Sequence, residues 1–362
     1  MLPPMTASFV TRREVVYLTL AIFNGLTTCA LLLWGGSGGL FTGGKQANLL
    51  TREHPAWAHL MNSKFVDLTH SIHPQMPLWP LFAQPSFSSA VAAHSSPGAP
   101  EIVRNASFTY ARQGFVAGAM VLPTDQLGTQ LDPPAHWNEF GATISDIPPT
   151  VSLRPLVVID VSTKVASDPG YHVSAEDCRQ HESMYGTIPA GAVVLIRTDW
   201  ALGWDSYAGP NGMPAIIPGV GLDALKFLHL ERLILAHGHE PLDTDGTPSL
   251  EGEAWLMHNH YMQFEGVANL HLLPPTGCLL SIGFAKVEGG AGGLARLVAV
   301  CPPESTHGSS IAEAPAAPLT AQAAPLRRDA YGVMRPTEGA KPTEYCAEGV
   351  DALGCGPNSK FA

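Results

Sequence analysis

From about residue 65 the chain alternates short apolar runs with turns that contain Pro or Gly. Four runs are continuously apolar and rich in β-branched residues: PLVVIDV (155–161), AVVLIRTDW (192–200), RLILAHG (232–238) and CLLSIGFAKV (278–287). A strand with one wet face alternates polar and apolar positions, so unbroken runs of this length predict strands covered on both faces. Helix-like stretches lie between them. SAEDCRQHESM (174–184) opens on Ser174, three residues before Asp177, the spacing of an N-terminal cap. GVGLDALKFLHLE (219–231) carries apolar residues at helical spacing. Strands alternating with helices predict an α/β fold, a single domain over residues 63–302 with a mixed or parallel β-sheet and flanking helices.

The pattern changes at both ends. In TRREVVYLTLAIFNGLTTCALLLWGG, Arg12 and Arg13 precede about twenty mostly apolar residues, roughly the length that spans a bilayer. Residues 1–36 therefore read as a twin-arginine-like export signal or a membrane anchor. No clear small-x-small cleavage site follows, which leaves an uncleaved anchor open, and a buried helix is the plain alternative. Positive charge ahead of the span predicts a cytoplasmic N-terminus and an exported domain, in the periplasm if the source is bacterial. The segment would then contact the membrane or the export machinery. Residues 37–62, Gly-rich and then polar, suit a linker. Residues 303–362 form a Pro/Ala-rich tail without periodicity, expected to be disordered or an extended wrap. An oxidising compartment would let Cys346 and Cys355 pair there.

Composition narrows the function. A chain of 362 residues, 45% hydrophobic and 14% charged, is long enough for one large core or two small ones. A net charge of -11 with no basic patch argues against nucleic acid as a partner. The six cysteines include no CxxC pair, which argues against a thiolate zinc site or a redox motif.

The candidate chemistry starts at QLGTQLDPPAHW (126–137). Asp132 offers an anionic oxygen and His136 a nitrogen, on a turn stiffened by Pro133 and Pro134. A divalent ion takes such a mixture, although Asp132 could equally cap a turn with His136 packed beside Trp137. LAHGHEPLDTD (235–245) follows a predicted strand and concentrates His237, His239, Glu240, Asp243 and Asp245. Ligands gather where strands of α/β sheets end. WLMHNHYMQFEGVANL (255–270) adds His258, His260 and Glu265, expected within two turns of one another. Histidines two apart diverge on a helix or a strand, so one of the pair, either His258 or His260, would serve the site.

These residues resemble the cyclase family of metal-dependent hydrolases, which includes the bacterial kynurenine formamidases. The family's mark, H-x-G-T-H-x-D-x-P-x-H, is matched here by Gln126-Leu-Gly-Thr-Gln130-Leu-Asp132-Pro-Pro134-Ala-His136. DLTH (67–70) with MPLWP (76–80), FEGVANLHLLP (264–274) and AKVEGGAGGLAR (285–296, Leu294 where Pro is usual) resemble flanking family segments in the same order. The resemblance implies a swivelling β/β/α domain, a dimer or higher oligomer, and hydrolysis of a small-molecule amide, formamide, lactone or cyclic imide. It implies metal ligation by the positions of Gln126, Gln130, Asp132, His258 or His260, and Glu265. His136 would be the acid/base, and Glu265 would hold the metal or orient the water.

Gln126 and Gln130 stand where the family has histidines. An amide oxygen is a weaker zinc ligand than imidazole, so the resemblance implies an altered site for Mn²⁺ or Zn²⁺, with harder ions favoured and His239 or Asp243 as compensating ligands. Trp79 and Trp137 are candidates to line an apolar pocket. Two other classes remain open: a non-catalytic metal- or ligand-binding relative, and a dehydratase using Asp132 and His136 as an acid/base pair.

Overall fold

In a computed structural model, which describes residues 56–89, 117–207, 214–311, 326–328 and 334–336, the four unbroken apolar runs become four neighbouring strands. In chain order the strands are β1 (Lys64–Asp67), β2 (Ser86–Ser89), β3 (Gly118–Val121), β4 (Gln130–Asp132), β5 (Leu153–Asp160), β6 (His172–Val173) and β7 (Val193–Arg197). Then come β8 (Gly219–Val220), β9 (Ala236–His239), β10 (Met262–Glu265), β11 (Cys278–Phe284), β12 (Gly293–Cys301), β13 (Leu326–Arg328) and β14 (Met334–Pro336). The main sheet runs β1-β12-β11-β5-β7-β9-β10-β4, and β4 pairs back onto β12. All of these strands but β1 thus close into a ring, which leaves no long unpaired edge within it. β5, β7, β9 and β10 are mutually parallel, while the ladders through β4, β11 and β12 are antiparallel. The expected mixed sheet in a single α/β domain is the observed fold.

Strand alternation sorts the side chains into two layers. Leu195, Gly238, Phe264 and Leu131 lie in one row across β7, β9, β10 and β4. Leu195, Phe264 and Leu131 fill the ring with Leu156, Val158, Leu280 and Leu297. The adjacent row, Val194, His237, Gln263 and Asp132, faces the other way. On that outer face Val194, Ile196, Val157 and Ile159 pack against Cys178, Leu225, Phe227, Leu228, Leu256 and Met257 from the helices. Both faces are covered, which is why the runs carry no polar alternation. Each fully buried Leu or Phe contributes about 1.5–3 kcal/mol of transfer free energy.

Ser174 caps the helix Ala175–Tyr185 as its spacing predicts, accepting from the Asp177 amide while the Asp177 carboxyl takes the Ser174 N–H. The stretch 219–231 gives a helix only at Leu222–Lys226, continued by a π-turn at Phe227–Glu231. The stretch 255–270 is not one helix. Its helix, Glu251–His258, ends at His258, and Glu265 lies on β10.

Within the tail, β13 pairs antiparallel with β14. Segment 1–36, Cys346 and Cys355 lie outside the described residues. Among the described residues no helix is long and apolar enough to cross a membrane. A disulfide joins Cys278 to Cys301, which face each other across β11 and β12.

Candidate active site

Where β4 and β10 pair, alternation sends Leu131 and Phe264 inward and turns Gln130, Asp132, Gln263 and Glu265 to the helix side. The Gly-Thr step before β4 makes this pairing possible. Gly266 has a φ of +59°, and a Cβ there would lie 2.3 Å from the Gly128 carbonyl oxygen. Gly128 itself has a φ of +57°, a region costly for other residues. The Thr129 hydroxyl then donates to the Gly266 carbonyl at 2.6 Å. After Asp132 the two prolines start a 3₁₀ turn, Pro134–His136, that brings His136 beside the outward face.

Asp132, Glu253 and Glu265 are buried and bring carboxylate oxygens within 4.8 Å of one another. Glu253 comes from the helix Glu251–His258, and its Oε1 accepts the Trp137 indole N–H at 2.8 Å. Among the described residues no Lys or Arg lines the cavity above them. Burial pushes the Asp132 and Glu253 carboxyls up to about 7, with Asp125 adding to the shift at Asp132 and Asp132 and Asp243 adding to it at Glu253. Glu265 is driven well above the usual carboxylate range for the same reason. Acids crowded in this way either keep protons or share a cation. Glu253 Oε2 is buried without a hydrogen-bond partner. A set of carboxylate oxygens with a free one among them fits a hard divalent ion.

The glutamines serve these acids as donors. Gln130 Nε2 donates to Glu265 Oε2 at 2.9 Å, to Asp132 Oδ1 at 3.3 Å and to Gln126 Oε1. Gln263 Nε2 donates to Glu265 Oε1 at 2.8 Å and to Asp132 Oδ2 at 3.2 Å, while its own oxygen accepts from the Thr244 hydroxyl. Gln126 and Gln130 were expected to offer oxygen ligands. Here Gln130 turns an N–H to the acids, which cannot coordinate a cation, and the Gln126 oxygen is taken up by Gln130. Gln126 Nε2 meets His136 Nδ1 at 3.2 Å.

His136 Nε2 faces Glu253 Oε1 at 3.5 Å. Burial lowers the His136 pKa below 6.5, with Glu253 opposing the shift, so the ring is neutral near pH 7. His258 and His260 do not reach the site: both are exposed. His258 is five residues beyond Glu253, roughly 140° around the helix axis, and points away. Glu253 takes the place expected of that pair. It stands with Leu256 and Met257 on the buried face of its helix, and an acid on an apolar stripe is the sequence signal that marks it.

β9 and the loop after it divide their acids and histidines. His239 Nε2 lies 3.8 Å from Glu265 Oε1, and burial lowers its pKa to about 4. His237 sits beside His239, with ring centroids 5.6 Å apart, and stays neutral in the core. Asp243 lines the cavity, its carboxyl raised to about 7 by burial and by Asp245 and Asp132. Glu240 turns away to the Thr198 hydroxyl at 2.6 Å, and Asp245 caps Gly252 at 2.8 Å. The cavity holds about 200 Å³. Trp79, Phe82, Trp137, Leu242 and Leu250 make its apolar walls over a floor that includes His136, Glu253 and Glu265.

The model of the Cyclase family ("Putative cyclase") matches residues 66–246. The isatin hydrolase of Roseibium aggregatum is 28% identical over 207 residues, 52% of this chain and 76% of that protein. The solved structure of isatin hydrolase A from Labrenzia aggregata, bound to benzyl benzoate, is 27% identical with a TM-score of 0.56, covering 71% of this chain and 97% of that one. Isatin hydrolase A from Ralstonia solanacearum is 25% identical with a TM-score of 0.55, covering 73% and 100%.

Proposed function

The chain belongs to the cyclase family, and from that premise we propose that it is a metal-dependent hydrolase of a carbon–nitrogen bond in a small cyclic amide. The observation that carries the reading is the Asp132–Glu253–Glu265 group, buried with no neutralising cation side chain among the described residues and set beside His136 under an apolar cavity. The isatin hydrolase relatives support a cyclic amide over an open-chain formamide, a lactone or an imide. A cavity of about 200 Å³ walled by Trp79, Phe82 and Trp137 suits a flat ring of that size.

Asp132, Glu253 and Glu265 would hold the divalent cation, Mn²⁺ or Zn²⁺. Bound there, such an ion supplies Lewis acidity toward a carbonyl oxygen and lowers the pKa of water. Gln130 and Gln263 orient the acids through their N–H groups. The tryptophans exclude bulk water, which strengthens every charge interaction inside. His136, neutral and 3.5 Å from Glu253 Oε1, would give its Nε2 proton to the leaving nitrogen and recover one from the attacking water by way of Glu253.

One observation favours a second reading. The amide nitrogens of Gln130 and Gln263 already satisfy Asp132 and Glu265, as they would in a non-catalytic ligand-binding relative. Elemental analysis of the purified protein, with turnover of cyclic amides before and after chelation, separates the two. The hydrolase reading expects a stoichiometric ion and ring opening that chelation abolishes. It also expects His136→Ala to cut turnover by about 10² to 10⁴ with the fold intact. Ligand uptake with no product from any cyclic amide, with or without added ions, would overturn it.

A further inference from the structure

We propose that Gln126 is a positioning residue that holds His136 in the neutral tautomer carrying its proton on Nε2. The inference follows from the orientation of the Gln126 amide, which the Ala291 carbonyl fixes and the Gln130 amide matches. Around Gln130 Nε2 lie a carboxylate oxygen of Asp132 and one of Glu265, at 3.3 and 2.9 Å. The Gln130 amide presents its nitrogen to both. The side-chain atom of Gln126 that meets this nitrogen must then accept, and is the oxygen Oε1. The other end of the Gln126 amide is fixed independently. It lies 3.4 Å from the Ala291 carbonyl oxygen, which calls for the nitrogen. Both ends give the same answer.

Gln126 Nε2 therefore directs an N–H at His136 Nδ1, 3.2 Å away. A neutral imidazole has one donor and one acceptor nitrogen. With Nδ1 accepting, the ring proton resides on Nε2, the nitrogen 3.5 Å from Glu253 Oε1. The hydrogen bond on the far nitrogen of a working histidine sets which nitrogen meets the chemistry. Gln126 thus takes a role that differs from metal ligation, although it occupies a metal-ligand position of the family mark. Glu253 Oε1, 3.5 Å from Nε2, is the acceptor beside the ring. The catalytic meaning of this arrangement rests on the hydrolase reading above; the tautomer does not.

The test is long-range ¹H–¹⁵N NMR on the full-length protein labelled in histidine, kept in EDTA, with His136 assigned from its loss in His136→Ala. The proposal expects a pyridine-like Nδ1 and a pyrrole-like Nε2 in the wild type. Gln126→Glu, which sets an acceptor against Nδ1, should move the proton to Nδ1. Gln126→Met, with neither donor nor acceptor, should give averaged signals. If turnover is found, Gln126→Glu should lower kcat by about 10²-fold with KM little changed. A wild-type ring protonated on Nδ1 or averaged between tautomers overturns the proposal, and that spectrum decides even if a variant does not fold. A folded Gln126→Glu protein with the wild-type pattern also overturns it. Absence of turnover with the expected tautomer counts against the hydrolase reading alone.

Discussion

The indole N–H of Trp137 donates to Glu253 Oε1 at 2.8 Å and so ties the turn that carries His136 to the helix that supplies one of the three acids. Glu253 is the acid of the group that neither sheet strand provides, and this bond aims it. A partner that orients a ligand is worth roughly 10–100-fold in metal affinity. Trp137→Phe keeps the apolar wall and deletes the donor. It should weaken Mn²⁺ binding by about that factor while leaving the melting temperature of the chelated protein nearly unchanged. Isothermal titration checks it, and equal affinities would show that Glu253 is aimed by packing alone.

Gln130 stands between Asp132 and Glu265 and presents nitrogen to both. Changing Gln126 and Gln130 together to His would put two imidazoles against an acid group that already fits a cation. Zinc affinity should rise strongly and Mn²⁺ affinity much less, because imidazole favours the later ions of the series. Activity need not improve, since a fuller ligand set can close the open position. Competitive titration of both ions against wild type and variant is the check; flat affinities for both would mean these positions do not face the cation.

The acids set a pH dependence whose sign can be worked out. Asp132 rises from 3.8 to about 7 and Glu253 from 4.5 to about 7, both by burial first. Between those limits the folded chelated protein keeps protons that the unfolded chain has released, so stability is full at low pH and lost as pH rises through 7. His70 and His239, lowered by burial from 6.5 to about 4, act oppositely and lose their contribution as pH falls from 6.5. A cation replaces the protons on the acids and cancels only the first effect. The gap in melting temperature between Mn²⁺-loaded and chelated protein should therefore widen from pH 5 to pH 8. A gap that is constant across that range would place the cation elsewhere.

We also propose that the domain works outside the cytoplasm. Arg12 and Arg13 ahead of an apolar segment motivate this, and the Cys278–Cys301 disulfide supports it, since such bonds persist in oxidising compartments. A reporter fused after residue 62 should be active only on the far side of the membrane. Activity confined to the cytosol would refute it.

Local pattern decided the elements whose cause is local. The unbroken runs became β5, β7, β9 and β11 because a strand covered on both faces has no reason to alternate, and the Ser174–Asp177 spacing marked a real cap. The motif around Asp132 and His136 was equally legible, since Gly128, Thr129 and the prolines shape a turn within a few residues. Closure of the ring was not, because β4 is three residues long and its pairing with β12 joins positions more than 160 residues apart. Separation along the chain also hid Glu253, which is 116 residues from Trp137. Two histidines beside Glu265 look like better ligands in a one-dimensional reading, yet the helix turns His258 to solvent and Glu253 to the acids. Nor does residue type say which end of an amide faces a carboxylate. Gln126 and Gln130 became donors only because folding set two acids and a backbone carbonyl against them, and a buried acceptor left without a donor is costly.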